Sequence, residues 1–201
     1  KGSNEGGSIS GAVYDHVKRA FILNKRYRGG GMRLLAHTFA NNVVESITGS
    51  PGIGLTKITF RQFHGRNTEI HVADFDGHNA TQLTRDNSIA AGPEWTPDGK
   101  SIFYYSYRRH NPDIYSHNLQ TGERRIVARY SGSNISPAVS PDGRRLAMVL
   151  SKAGSPDIWV ASANGTGLRR LTTTKEAESS PCWSPDGRWI CFASRASGST
   201  R

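Results

Sequence analysis

Long apolar runs are missing from this chain, and so is any surplus of acid: its 201 residues include 16 Asp and Glu against 26 Lys and Arg, and two cysteines. Without a long apolar run there is no signal peptide or membrane span to read. The two cysteines, Cys182 and Cys191, have no histidines beside them, which excludes a Cys/His zinc site. The seven histidines do not fall at ligand spacing either. Catalytic signatures fail on single residues. Gly7-Ser8-Ile9-Ser10-Gly11 has Ile9 where a nucleophile elbow needs serine. Asp98-Gly99-Lys100-Ser101 ends like a phosphate loop, but Glu94 stands where the first glycine belongs. Asp74-Phe75-Asp76-Gly77 misplaces the glycine of a calcium loop and lacks its closing glutamate, so it reads as a hairpin turn. No cofactor, metal or catalytic group is implied.

The shortage of acid leaves a net charge of +10. Such a charge binds phosphates when it is clustered. Here Arg108-Arg109, Arg124-Arg125, Arg144-Arg145 and Arg169-Arg170 fall at turns and strand ends, so the charge is spread over a solvated surface. That pattern argues against a nucleic-acid partner and for steering toward an acidic one.

What the chain does have is a repeat. Pro-Asp-Gly occurs at residues 97–99, 141–143 and 185–187, at intervals of 44. The register extends to Pro93, Pro137 and Pro181 before it, to Ile102, Leu146 and Ile190 after it, and from Pro112-Asp113-Ile114 to Pro156-Asp157-Ile158. Ser140-Pro141-Asp142-Gly143 is a type I turn sequence, with proline presetting φ at the second position and glycine last. Ile102–Tyr105, Leu146–Val149 and Ile190–Ala193 then read as second strands, apolar on both faces and sandwiched between sheets. Ile114-Tyr115 and Ile158–Val160 read as third strands, ended by turns at Thr121-Gly122 and Asn164-Gly165.

Four antiparallel strands per 44-residue unit, without a helical period, is the propeller pattern. One period back, Ile58 and Phe60 match Ile102 and Tyr104, so the first unit runs from about Leu55 to Thr84. The fold class is therefore mainly β: an incomplete propeller of three blades and the first hairpin of a fourth. A ring needs about four to eight blades, so closure calls for more chain or for a second polypeptide, and Phe192 and Ile190 are expected to face water.

Ahead of the repeats, Ser8–Asp15 and Ala20–Tyr27 read as a hairpin, and Gly29-Gly30-Gly31 as a flexible linker. A helix follows from Met32 to Thr48, with Leu35, Phe39, Val43 and Ile47 on one stripe and Gly49 as its stop. One hairpin and one helix make a thin core, like the end of an α/β domain. The expected division is 1–51 for this remnant and 52–201 for the propeller. His37 reads as a domain-contact residue and His71, in the repeat position of Tyr115 and Trp159, as a packing residue. Cys182 and Cys191 flank a turn on adjacent strands, where they either bridge or pack as small apolar residues.

Two stretches resemble the TolB family. One is Arg33-Leu34-Leu35-Ala36-His37 through Thr48-Gly49-Ser50-Pro51-Gly52-Ile53-Gly54 to Thr56-Lys57-Ile58, similar to the family's last amino-terminal helix and propeller entry. The other runs from Ala73–Gly77 through Leu83–Asn87, Trp95–Lys100 and Leu150–Lys152 to Trp183–Gly187. The chain departs from the family at Gly54-Leu55 and Val139, and has Ser133-Asn134-Ile135 where the family often has His-Asn-Gly.

The resemblance implies a six-bladed propeller without enzymatic activity, working in the periplasm as part of the Tol-Pal envelope system. It implies Pal docked on one mouth of the ring and contact with TolA through an amino-terminal segment. The loops that would face Pal correspond to Ser133, Asn134, Ile135 and Ser136, and to Ala177, Glu178, Ser179 and Ser180, with Ile89–Gly92 one unit earlier. The Pro-Asp-Gly unit also marks propellers of prolyl-oligopeptidase-like hydrolases, so a gating domain of such an enzyme is the alternative.

Overall fold

Ser8–Asp15 (β1) and Ala20–Arg28 (β2) form an antiparallel hairpin with a bulge between Val13 and Tyr14. Asp15 closes its turn: Oδ1 accepts the backbone N–H groups of Val17 and Lys18 at 2.9 Å each, the local bond that makes aspartate a turn residue. The computed structural model describes residues 7–196 and 199–200.

Met32–Thr48 (α1) follows, over the span the sequence predicts. It ends where glycine permits: Gly49 sits at φ 72° and returns its N–H to the Glu45 carbonyl at 2.9 Å, the left-handed cap. The expected apolar stripe holds only in part. Leu35 is buried and Phe39 and Val43 are half-buried, but Ile47 is 63% exposed. Two strands lie only about 5 Å apart, too narrow a sheet to cover every turn of the helix.

The chain divides into two compact units, one running to Ile58 and including Ala73–Ala80, the other made of Thr59–Val72 and the chain from Thr81 onward. The second unit is built from antiparallel sheets. Lys57–His64 (β3), Asn67–Asp74 (β4) and Thr81–Gln82 (β5) form a three-stranded sheet whose outer ends belong to the first unit. Ala90–Trp95 (β6), Ser101–Arg109 (β7), Asn111–Asn118 (β8) and Arg124–Ala128 (β9) form a four-stranded one. Asn134–Val139 (β10), Arg145–Leu150 (β11), Asp157–Ser162 (β12) and Arg169–Arg170 (β13) form a second. Glu178–Trp183 (β14), Ile190–Ala196 (β15) and Ser199–Thr200 (β16) complete the series. Each sheet is a meander in chain order, and β10 packs on β6, β7 and β8 as β14 packs on β10, β11 and β12, which is propeller-like stacking.

The first of these sheets has three strands where the sequence led us to expect four. Its missing inner strand would lie one period before β6, at residues 46–51, and there the chain is still completing the last turn of α1 and the Gly49 cap.

The seams between sheets hold the core. Ile70, Ile102, Tyr104 and Tyr115 fill the first, and Phe103, Ile114, Leu146 and Met148 fill the second, each at most 3% exposed. Burying a side chain of this size contributes about 1.5–3 kcal/mol. In the third seam Trp183 and Ile190 pack on Ala138, Ala147 and Val160. There Ile190 is half-buried, not facing water as expected, while Phe192 is 38% exposed.

The Pro-Asp-Gly segments are the type I turns that the sequence predicts. Gly99, Gly143 and Gly187 lie at φ 66–71°, and each donates its N–H to the carbonyl of Thr96, Ser140 or Ser184 at 2.8–2.9 Å. The Ser140 hydroxyl donates to Asp142 Oδ1 (2.5 Å) and accepts the Arg145 N–H (2.9 Å), tying the turn to both strands. That hydroxyl, followed by the Arg144 N–H, holds the Asp142 carboxyl below its ordinary pKa.

Candidate partner-binding site

The loops that join one sheet to the next meet the first strand of each sheet at a repeated local geometry. Gly92, Ser136 and Ser180, one period apart, lie at φ 60°, 52° and 53°. At each the ladder slips register, between Ala91 and Glu94, between Ile135 and Ala138, and between Ser179 and Cys182. The following proline, at 93, 137 and 181, has no N–H to donate, so the bulge is where the strand tolerates it.

Two of the residues that the sequence puts at the partner surface are inside the fold. Asn134 is fully buried. Its Nδ2 donates to Pro112 O (3.1 Å), Tyr130 O (2.9 Å) and Gly132 O (3.3 Å), while its Oδ1 accepts the Tyr130 N–H at 2.9 Å. Every polar direction of the amide is used within the loop and on β8. Glu178, 2% exposed, takes the Thr174 hydroxyl on Oε1 (2.9 Å) and the Ile158 N–H on Oε2 (3.4 Å). Both side chains fasten a loop to the preceding sheet. Asn134 is thereby closed to a partner, while Glu178 still borders an open cavity.

The others remain accessible. Ser179 and Ser180 are exposed, and Ser133, Ile135 and Ser136 are half-buried. The structure brings Ile135 together with Glu178 and Ser179 in one open cavity of about 440 Å³, whose walls also include Val149, Pro156 and Arg195. Asn134, Ser133, Ser136 and Ser180 are not among its lining residues. Arg195 enters here without a sequence signal, because its repeat counterparts are Ser151 and Tyr107. Its backbone N–H bonds Ala177 O at 3.1 Å, which holds the strand end against the loop. The cavity therefore offers apolar floor from Ile135 and Val149, a hydroxyl from Ser179 and one cation. Such a surface binds by complementarity of shape and hydrogen bonding.

A second cavity, of about 510 Å³, lies within the first unit beside Arg33, His37, Lys57, Asp74 and His78. Its charges are already matched. Asp74 takes Lys57 Nζ at 2.9 Å, Asn79 Nδ2 at 2.8 Å and Arg33 Nη1 at 2.8 Å; the hydrogen bond from Lys57 leads in pulling its pKa down to about 2. Asp76 pairs with the other arm of Arg33 and with His37 Nε2 at 3.4 Å. Asp74–Gly77 is a turn, as predicted, with the Gly77 N–H on Asp74 O at 2.8 Å. The group is a clasp in which the cations have carboxylate partners.

His71, 7% exposed, is stacked between Phe60 and His64, and burial leads in lowering its pKa. Cys182 and Cys191 are direct cross-strand partners, both exposed and both free thiols. Among the described residues no three His, Cys, Asp or Glu side chains are grouped to hold a metal, and no helix is long and apolar enough to cross a membrane.

Stacked antiparallel sheets of three and four strands, joined by loops beside an open cavity, define a propeller-type scaffold. The chain belongs to a particular family of this class: its residues 44–201 match the TolB beta propeller domain, PD40. It is 38% identical over 129 residues to the Tol-Pal system protein TolB of Nitrosococcus oceani, covering 61% of this chain and 30% of that one. With the same protein of Desulfosudis oleivorans it shares 37% identity over 127 residues, covering 62% and 29%. The chain thus spans about 30% of the length of these curated relatives. Among solved structures, TolB from Acinetobacter baumannii superposes with a TM-score of 0.85 at 26% identity, over 100% of this chain and 52% of that one. Tricorn protease superposes at 0.53 with 17% identity, over 71% and 14%, a likeness of fold alone.

Proposed function

We propose that this chain is a periplasmic protein-binding propeller of the Tol-Pal system, with no chemistry of its own, that docks Pal at the loop-lined mouth. The observation that carries the reading is the cavity in which Ile135 from one loop and Ser179 from the next face a common space, at the positions where the TolB resemblance puts the partner surface. Ser133, Ser136 and Ser180 form the rim of that surface, and Asn134 and Glu178 hold its loops in place. TolA is the second partner that the family relationship supports, and residues 1–51 and 52–201 are the two functional parts. The family match supports this reading over that of a hydrolase gating domain, since the peptidase likenesses concern fold alone.

Calorimetric titration with the soluble domain of Pal tests the reading. Ile135→Asp and Ser179→Arg should each weaken binding about tenfold, the loss of roughly 1.4 kcal/mol expected of a central contact. Arg144→Ala, on a Pro-Asp-Gly turn outside this cavity, should leave it unchanged. A folded protein that gives no heat with Pal, or equal affinity across all four proteins, would reject it.

A further inference from the structure

We infer that Cys182 and Cys191 form a reversible disulfide across the β14–β15 hairpin. Nothing in the proposed partner surface uses these thiols, and the inference does not rest on that reading.

The register supplies the geometry. Cys182 and Cys191 are directly opposed, as are Trp183 and Ile190 beside them. The Ser184 N–H donates to Trp189 O at 2.9 Å, which makes Ser184 and Trp189 a hydrogen-bonded pair. Hydrogen-bonded and open pairs alternate along an antiparallel ladder, so Cys182 and Cys191 are again a hydrogen-bonded pair, with Cα atoms about 5.5 Å apart. That separation is within the span of a disulfide, but the Cβ atoms of such a pair, about 5.5 Å apart, must close by about 1 Å, so the bridge is a strained one. Directly opposed residues also share a face. Trp183 and Ile190 turn to the preceding sheet, where they meet Ala138, Ala147 and Val160, so the thiols lie together on the other face.

The repeat shows that this pair is particular to one sheet. One period earlier the same positions are Ala138 and Ala147, also opposed in register, and two periods earlier they are Glu94 and Phe103. A small apolar pair suffices at that register, and only here are both members oxidisable.

The chemistry balances as two thiol–disulfide exchanges. One thiolate attacks a small or protein disulfide, forming a mixed disulfide and releasing one thiolate of the oxidant. The second cysteine then attacks the mixed disulfide at its own partner's sulfur, releasing the other. The pair loses two electrons and two protons, one S–S bond forms, and the oxidant becomes two thiols. The strands are already joined by backbone hydrogen bonds, so the cross-link closes a short loop and constrains the unfolded chain little. A disulfide strained across a hydrogen-bonded pair belongs to the readily reduced class. Oxidation would fix the register of β14, whose other end carries Ser179.

The test is a redox titration of the full protein in mixtures of oxidised and reduced glutathione, followed by acid quenching, maleimide labelling and intact mass measurement. The expected result is a single reversible transition in a monomer, from two maleimide labels to none, with the loss of two hydrogens. Cys182→Ser should give instead one glutathione adduct under oxidising conditions, on a protein with an unchanged urea midpoint. Two labels retained under fully oxidising conditions would overturn the inference. So would glutathione on both cysteines, a disulfide-linked dimer, or thiols that resist labelling in the reduced native protein.

Discussion

The sheets β6–β9 and β10–β13 have the same topology and the same turns, yet they satisfy the same buried charge differently. Each has an aspartate at or near the start of its third strand: Asp113 in one, Asp157 in the other, 3% and 0% exposed. Asp157 faces Arg170 at 2.7 Å, and the neighbouring Ile158 N–H bonds Thr172 Oγ1 at 2.9 Å. One period earlier, Ala128 stands where Thr172 does and the ion pair of Asp113 with Arg129 is longer, at 3.8 Å; each carboxylate keeps one oxygen without a hydrogen-bond partner, Asp113 Oδ2 and Asp157 Oδ1. The fold therefore does not require that the acid be well paired. A repeat can preserve the backbone while its polar interior drifts, and the energetic cost then differs from sheet to sheet.

The largest test of this contrast is to remove the cation from each pair. Arg170→Ala leaves a buried carboxylate without its partner and should lower stability by about 3 kcal/mol, whereas Arg129→Ala, whose side chain is 59% exposed, should lower it by less than about 1 kcal/mol. Urea unfolding midpoints would show whether the two losses differ; equal losses would break the comparison. Thr172→Ala should cost about 1 kcal/mol, because the Ile158 N–H loses its nearer acceptor and keeps only the longer contact to Glu178 Oε2, and amide hydrogen exchange at Ile158 should rise with it.

The bulges extend the comparison. A Cβ at Gly92 would come within 2.8 Å of the Tyr105 ring at φ 60°, so Gly92→Ala should destabilise by about 1 kcal/mol. Ser136, at φ 52°, follows Ile135, whose cross-strand partner Val149 is the counterpart of Tyr105, and Ser136→Gly should raise stability by about 0.5 kcal/mol, read from the urea midpoint. The smallest effect belongs to Asp113→Asn. Burial pushes the Asp113 carboxyl above its ordinary pKa of 3.8, against the pull of Arg129 and Arg109. A carboxyl raised in the folded state is most favourable when protonated, and that advantage is lost as the pH rises through the folded value. The asparagine variant should therefore be slightly more stable than the parent at pH 7 and equal to it below pH 3.8, as thermal unfolding at both pH values would show.

Most of the architecture was legible because turns and strand cores announce themselves by residue type. Pro-Asp-Gly marked three type I turns, Gly49 marked the end of α1, and the apolar runs after each turn gave β7, β11 and β15. The missing strand of the first sheet was not legible, because a period counts positions and does not say that a helix already occupies them. The loops between sheets were legible as places more than as chemistry. Asn134 and Glu178 look like surface residues in a polar loop, but they occupy the repeat position of Ala90, itself fully buried. That alignment was the available signal of their inward position. Ile135 and Ser179 do share a cavity. Arg195 had no counterpart to point to it, and its place depends on how β15 is held beside the loop.

The Pro-Asp-Gly turns are in contact with one another. A Cβ placed on Gly143 would lie 3.6 Å from Pro97 Cδ, one on Gly187 would lie 3.6 Å from Pro141 Cδ, and one on Gly99 would meet nothing within 4 Å. The tripeptide thus works as tongue and groove: the proline of each unit is the seat for the glycine of the next. Damage to it should then spread in one direction along the chain, with a change at Pro97 felt at Gly143 and one at Gly99 remaining local.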